Sequence, residues 1–311
     1  MLSNRTQTVR TRHSSIVFRH KTPRWFIFLA LCFAWWEYNN LFLKGGVLES
    51  SGANSWHATK IACWILRSNS TDDILRSDAI RKGWGKYCDN LEFIDNNTPG
   101  INAGWIEKYE DLSAKSFYAW HFMFDKYVHK LAPSKRADFI LKADTDTYIL
   151  GQNMRIFLSH LDPGTAYYMG KELLDQRGLP FVAGTAIILS SATLKLFATA
   201  QQGNSSLCSY NQFRLLKQAE DVALAQCLRT LGVYPHATWD KTGAERFMVL
   251  SPDTMRLGGE DGELPYWYKQ FSMNIKKGPG CCSAEAVAFH YVTVTELQRN
   301  LAFHNSTWTW D

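Results

Sequence analysis

The chain has 311 residues, 46% of them hydrophobic and 20% charged, with a mean hydropathy of −0.25. That balance supplies a sizeable core and excludes both a mostly disordered chain and a polytopic membrane protein. The net charge of +5 resides in residues 1–24, which hold six of the 34 Lys and Arg and no acid, leaving 28 basic against 29 acidic residues. The body is close to neutral, so no nucleic-acid partner is expected.

Residues 1–24 read as a cytoplasmic basic tail. Trp25 to Trp36 are twelve apolar residues without a charge. They cover only about 18 Å as a helix against a hydrocarbon core of about 30 Å. Continuing to Leu43 makes residues 25–43 a transmembrane signal anchor, with the positive flank on one side predicting a cytoplasmic N-terminus. A cleaved signal peptide is the rival, but no small-x-small cleavage site follows the apolar run. Residues 44–59 are a small, polar stem, and residues 60–311 form the lumenal domain.

In chain order, Lys60–Leu66 reads as a buried strand and 72–87 as a helix with Ile74, Leu75, Ala79, Ile80 and Trp84 on one stripe. Leu91–Ile94 is a second strand. An aromatic helix covers 111–131, with Ala114, Phe117, Tyr118, Phe124 and Val128 turned inward. Ala137–Lys142 is a third strand and 153–160 a helix. Ala166–Met169 and Phe181–Leu189 are further strands, followed by helices at 192–200 and 219–231. The alternation predicts one α/β domain with a largely parallel sheet covered on both faces.

Seven cysteines include Cys32 in the anchor, leaving Cys63, Cys88, Cys208, Cys227, Cys281 and Cys282 for the lumenal part. Without CxxC or zinc-finger spacing they read as up to three disulfides of open connectivity. Adjacent Cys281 and Cys282 are expected to staple two separate segments to one turn. Asn69, Asn96, Asn204 and Asn305 begin glycosylation sequons, consistent with a lumenal domain.

Three clusters carry chemistry. The strand Phe139–Lys142 runs into Asp144 and Asp146, whose i, i+2 spacing points both carboxylates one way. Such a pair holds a hard divalent ion, or is a solvated turn that bonds its own backbone. Glu220 and Asp221 open a helix, where acids ordinarily serve as dipole partners. His290 sits on an apolar stretch after the double cysteine, the usual place for a core histidine.

Cys63-Trp-Ile-Leu, Trp84-Gly-Lys-Tyr-Cys, Leu141-Lys-Ala-Asp-Thr-Asp-Thr-Tyr, Glu220-Asp-Val-Ala-Leu, Gly278-Pro-Gly-Cys-Cys-Ser and Phe289-His-Tyr-Val stand in one order. Together they resemble the core 1 β1,3-galactosyltransferases (glycoprotein-N-acetylgalactosamine 3-β-galactosyltransferases, or T-synthases), relatives of Fringe. The likeness runs from about residue 60 to 300. It implies a Golgi type II membrane enzyme with a GT-A-type, Rossmann-like fold. Such an enzyme would move galactose from UDP-galactose, with inversion, to the 3-hydroxyl of GalNAc on Ser or Thr.

The resemblance makes Asp146 the main Mn²⁺ ligand, with Asp144 supporting and His290 third. It makes Asp221 the base, with Glu220 orienting it. Lys142 would contact the donor or pair with an acidic neighbour. Trp239, Trp267 and Tyr268 would stack on sugars. Cys63 would join Cys88, and Cys208 and Cys227 would each join one of Cys281 and Cys282. Expected partners are a GalNAc-bearing glycoprotein or glycopeptide, the membrane, and a second copy as a homodimer.

The chain departs from the family at Ala183-Gly-Thr-Ala186, where Gly-Gly-Ala-Gly is usual, so methyl groups at 183 and 186 are expected to narrow the site. A family Asp-Ser-Arg-Asp stretch reads Ala237-Thr-Trp-Asp240. Other readings are a transferase with a different UDP-sugar or acceptor, a non-catalytic chaperone for such an enzyme, and a lectin-like binder. The chaperone would not need Asp144, Asp146, Glu220, Asp221 and His290 together, and the lectin would not need the base.

Overall fold

A computed structural model describes residues 59–98, 108–200, 206–259 and 261–299. The basic tail, the anchor at 25–43, nearly all of the stem, and the sequons at Asn204 and Asn305 lie outside the described residues. Among the described residues no helix is long and apolar enough to cross a membrane.

Strand β1 (Ile61–Leu66) is buried at every position, as its unbroken apolar run predicts for a central strand. It pairs in parallel with β2 (Asn90–Ile94) on one side and β3 (Phe139–Asp144) on the other. Beyond β3 lie β8 (Ala186–Ser190) and then β5 (Tyr168–Met169), giving the order β2-β1-β3-β8-β5. Both outer ladders, β3 with β8 and β8 with β5, are antiparallel. The sheet is therefore mixed, not largely parallel. Between β3 and β8 the chain runs through several short elements rather than one crossover helix, and re-enters the sheet from the opposite end.

The segment expected as one strand over 181–189 is two. Strand β7 (Pro180–Val182) pairs with β6 (Glu172–Leu174) in a hairpin, and β8 starts only at Ala186. In the gap, Ala183-Gly184-Thr185, the backbone bonds elsewhere: Ala183 N–H donates to the Lys171 carbonyl, the Thr185 carbonyl accepts from the Thr147 hydroxyl, and Gly184 bonds charged side chains. Gly184 N–H donates to Asp221 at 3.0 Å, and Gly184 carbonyl accepts from Lys142.

Alternation along β1 sends Ile61, Cys63 and Ile65 to one core and Ala62, Trp64 and Leu66 to another. The first core lies under α1 (Thr71–Lys82), α3 (Gly151–Ser159) and the C-terminal segment. The second lies under α2 (Leu112–Phe124), α4 (Ser191–Thr199), α5 (Tyr210–Leu215) and α6 (Glu220–Thr230). There Trp64 meets Trp120 edge-on at 5.0 Å.

Two expectations for the helices change. In α1, Ala79 and Ile80 are buried, but Ile74 and Leu75 are 47% and 44% exposed. The inward face of its first turns is polar instead, because Asp73 accepts from the Thr145 hydroxyl at 2.6 Å. Trp84 lies beyond α1 in a 3₁₀ turn, buried, with its indole N–H on the Thr147 carbonyl. The aromatic helix buries Ala114, Phe117 and Val128 and leaves Tyr118 and Phe124 half-buried, ending in a π turn at Asp125–His129.

Cys63 bonds Cys88, as the family likeness implies. Cys208 bonds Cys227, and Cys281 bonds its neighbour Cys282, against the expected cross-linking of those two pairs. The reason is the sheet: Cys208 and Cys227 belong to the core on one face, Cys281 and Cys282 to the core on the other. Of the two described sequons, Asn69 is exposed and Asn96 half-buried.

Candidate active site

The carboxyl end of β3 delivers Asp144, and a tight turn closed by Thr147 N–H on the Asp144 carbonyl carries Asp146 just beyond it. The chain then forms β4 (Tyr148–Ile149), which pairs antiparallel with β9 (Ala288–Phe289). Tyr148 lies opposite Phe289, so His290 falls beside the aspartates, and Val292 N–H closes onto the Asp146 carbonyl at 3.0 Å. This short ladder, not a disulfide, holds the histidine in register with the acids.

His290 Nε2 is 3.0 Å from Asp146 Oδ1 and 3.6 Å from Asp144 Oδ2. One ligand atom from each of the three lies within 4.8 Å of the others. Two carboxylate oxygens and an imidazole nitrogen in that span suit one hard or borderline divalent ion such as Mn²⁺. Burial alone would lower the His290 pKa, but its hydrogen bonds to Asp144 and Asp146 outweigh burial and raise it to about 9. Burial would raise Asp144, and Lys142 and His290 overcome it to hold Asp144 below the usual range. Arg76 of α1 adds a cation 3.6 Å from Asp146 Oδ2.

Lys142 is wholly buried and faces no solvent. Its ammonium bonds Asp144 Oδ1 at 2.7 Å, Glu220 Oε1 at 2.5 Å and the Gly184 carbonyl. All three of its donors are thus taken up inside the protein, so it pairs with acids rather than reaching a donor substrate. Burial would lower its pKa, yet Asp144 and Glu220 raise it.

Glu220 and Asp221 open α6, but neither caps it by a side-chain bond from its N-cap position, which is Ala219. Asp221 Oδ2 accepts from Gly184 N–H and Oδ1 from its neighbour Val222 at 2.8 Å. Burial raises the Asp221 carboxyl, against the N–H donors of Val222 and Gly184 and the charge of Lys142. Burial also raises Glu220, only partly offset by Lys142.

Asp144, Glu220 and Asp221 face one cleft of about 300 Å³ that Gly184, Trp267 and Tyr291 also line. Of the three aromatic candidates only Trp267 reaches it. Tyr268 is fully buried in the core, and Trp239 borders a separate hollow beside Lys171 and Glu245. Neither is placed to stack on a sugar in this cleft. Ala183 lines the cleft, whereas Ala186 sits inside the sheet opposite Ala143. The critical position is the glycine between them: a Cβ at Gly184 would come 2.8 Å from Glu220 Oε1.

Arg76, Gly184, Tyr109 and Tyr291 belong to the site and were not singled out from sequence. Gly184 lay within the segment compared with the family; Arg76 carried no signal, since it is not among the apolar stripe residues of the helix read over 72–87. Tyr291 has φ of 56°, a left-handed backbone rare for a bulky residue, and its ring lies 4.1 Å from that of His290.

An Asp-x-Asp pair at the end of a central strand is completed by a histidine, and its first aspartate shares a cleft with the two acids of α6. No family model matches the chain. Its sequence is nevertheless similar to that of a 3-beta-galactosyltransferase. It is 25% identical over 247 residues to glycoprotein-N-acetylgalactosamine 3-beta-galactosyltransferase 1 of Xenopus laevis, covering 76% of this chain and 64% of that protein. Two solved structures are similar at 12% identity. One is a glycosyltransferase involved in glycosylation of the major capsid of PBCV-1, with TM-score 0.40, covering 78% of this chain and 99% of that one. The other is the galactosyltransferase LgtC in complex with donor and acceptor sugar analogs, with TM-score 0.41, covering 80% and 97%.

Proposed function

We propose that this chain is an inverting, GT-A-type transferase that moves galactose from UDP-galactose to the 3-hydroxyl of GalNAc on Ser or Thr of a glycoprotein. In this reading it is a type II membrane protein of the Golgi, anchored through residues 25–43, with its catalytic domain in the lumen. The observation that carries the reading is that Asp144 belongs both to the cluster it forms with Asp146 and His290 and to the cleft that Asp221 lines. The name of the Xenopus relative supports the sugar and the acceptor.

Asp144, Asp146 and His290 would hold Mn²⁺, which when bound neutralises charge on the departing diphosphate. Asp221 takes the proton of the attacking hydroxyl; burial raises its proton affinity, which suits a general base. Glu220 and Lys142 orient the two halves of the site, and Trp267 offers an aromatic face to a sugar ring. A chaperone for such an enzyme would require no assembled metal cluster and base, so the geometry favours the enzyme.

The test is transfer by the secreted lumenal domain from a panel of UDP-sugars to a GalNAc-α-peptide, with and without Mn²⁺. UDP-galactose with Mn²⁺ should give product, and Asp146→Asn should abolish metal-dependent turnover. No transfer from any UDP-sugar sinks the enzymatic reading.

A further inference from the structure

The cleft does not end at the acids of α6. A second hollow of about 430 Å³ opens beside it, and the two share Phe181 and Phe271 as a common wall. Leu174 of the β6–β7 hairpin lines it, with Val222 and Gln226 from one stripe of α6. Val222 directly follows Asp221, so helix geometry turns the two side chains in different directions: Asp221 lines the cleft and Val222 the hollow. None of Asp144, Asp146 and His290 lines the hollow.

We propose that this hollow receives the polypeptide carrying the acceptor sugar: an extended segment flanking the glycosylated residue, with an apolar side chain in the hollow. The inference rests on the transferase reading above. In that reading the diphosphate lies with Asp144, Asp146 and His290, and the acceptor hydroxyl meets Asp221. Whatever is attached to the acceptor sugar then leaves the cleft on the α6 side, away from the metal cluster. The hollow is the continuation of the cleft on that side.

Its size and chemistry fit such an occupant. Asp221 and Gln226 are five residues apart on the helix, about 7.5 Å along its axis. That is the reach of about two residues of extended chain, so contacts fall within a few positions of the glycosylated residue. Leu174, Phe181, Val222 and Phe271 suit an apolar side chain, and the Gln226 amide can pair with peptide N–H and C=O groups. At the rim Arg177 is paired with Asp175 at 2.9 Å, so the hollow presents no uncompensated charge from that pair to select an acidic or basic segment.

The experiment compares two acceptors, GalNAc-α-methyl and a GalNAc-α-peptide with an apolar residue about two positions from the glycosylated threonine. Gln226→Trp fills the hollow and Leu174→Glu charges it; both variants are first checked for an unchanged melting temperature. Each should raise KM for the glycopeptide about tenfold or more while leaving KM and kcat for the methyl glycoside unchanged. Equal glycopeptide KM in wild type and variants overturns the proposal while the transferase reading stands. Glycopeptide binding without donor, measured by calorimetry, separates the two ideas. Binding that both variants weaken in a protein without transferase activity keeps the hollow and sinks the enzyme. Absence of glycopeptide binding overturns the hollow, as does a wild-type dimer that Gln226→Trp converts to monomer.

Discussion

Lys142 and Glu220 stand 78 positions apart in the chain and 2.5 Å apart in the fold. The same ammonium holds Asp144 at 2.7 Å, so one buried cation joins the candidate metal cluster to the acids of α6. Three anionic groups, Asp144, Glu220 and Asp221, crowd this corner, and Lys142 is the buried cation that lets them coexist there.

Lys142→Met should therefore destabilise the domain strongly. It leaves two carboxylates without their cation, a loss of about 3–5 kcal/mol for breaking a buried pair. Adding Glu220→Gln to Lys142→Met should recover part of that loss, because one of the stranded charges is gone. Urea unfolding of the two single variants and the double variant measures the coupling; additive losses would deny that Lys142 and Glu220 interact.

Gly184→Ala should impair the site more than its size suggests. The added methyl would lie 2.8 Å from Glu220 Oε1, 3.5 Å from Lys142 Nζ and 3.6 Å from Asp221 Oδ2. Overpacking of this kind costs about 1–3 kcal/mol. The expected outcome is a lower melting temperature together with a fall in kcat, read by calorimetry and steady-state transfer. Wild-type values for both would mean that Glu220 moves aside freely.

Mn²⁺ should raise the melting temperature of the wild-type domain spanning residues 60–311, and excess EDTA should reverse the shift. At a free metal concentration of about one hundred times Kd the gain is about 2.7 kcal/mol. Asp146→Asn and His290→Ala should each lose most of the shift, while Glu220→Gln should keep most of it. An equal Mn²⁺ shift in all four proteins would place the ion elsewhere.

Stability should fall in mild acid through His121. Burial between the rings of Phe117 and Phe197, only partly opposed by Asp125, pushes its pKa from 6.5 down to about 4. The unfolded chain then binds a proton between those values that the folded chain refuses. Stability is full above about pH 6.5 and declines toward pH 4, by at most on the order of 3 kcal/mol. His236 is lowered by burial and works in the same direction. His290, raised to about 9, acts on the other limb: its contribution is full below 6.5 and lost as pH rises through 9. His121→Phe should flatten the acid limb of a denaturation-midpoint series; an unchanged slope would show that His121 contributes nothing to it.

Much of the site was legible because its residues advertise themselves locally. Asp144 and Asp146 end an apolar strand, and Glu220 and Asp221 start an amphipathic helix. Their family likeness added His290. What could not be read was how distant segments meet. The pairing of β4 with β9 is only two residues long, too short to leave a period in sequence, yet with the Val292 N–H bond to the Asp146 carbonyl it sets His290 beside Asp146. Tyr268 shows the converse error. An aromatic in a Tyr-Trp-Tyr run looks like a sugar platform, but one neighbour faces the cleft while the next fills the core.

The cysteines divide along the same line. The Cys63–Cys88 bond is the one that the family likeness implied. The other four could be assigned only once the sheet existed to separate Cys208 and Cys227 from Cys281 and Cys282.

By itself the sequence determined the alternation of strands and helices, the near-neutral body behind a basic N-terminus, and which residue types carry the chemistry. These depend on local periodicity and composition. The tertiary structure decided the mixed hand of the sheet, the disulfide partners, and the burial of Lys142 among three acceptors. Each of these depends on contacts between segments far apart in the chain, and a buried charge acquires its role only from the partners that folding brings to it.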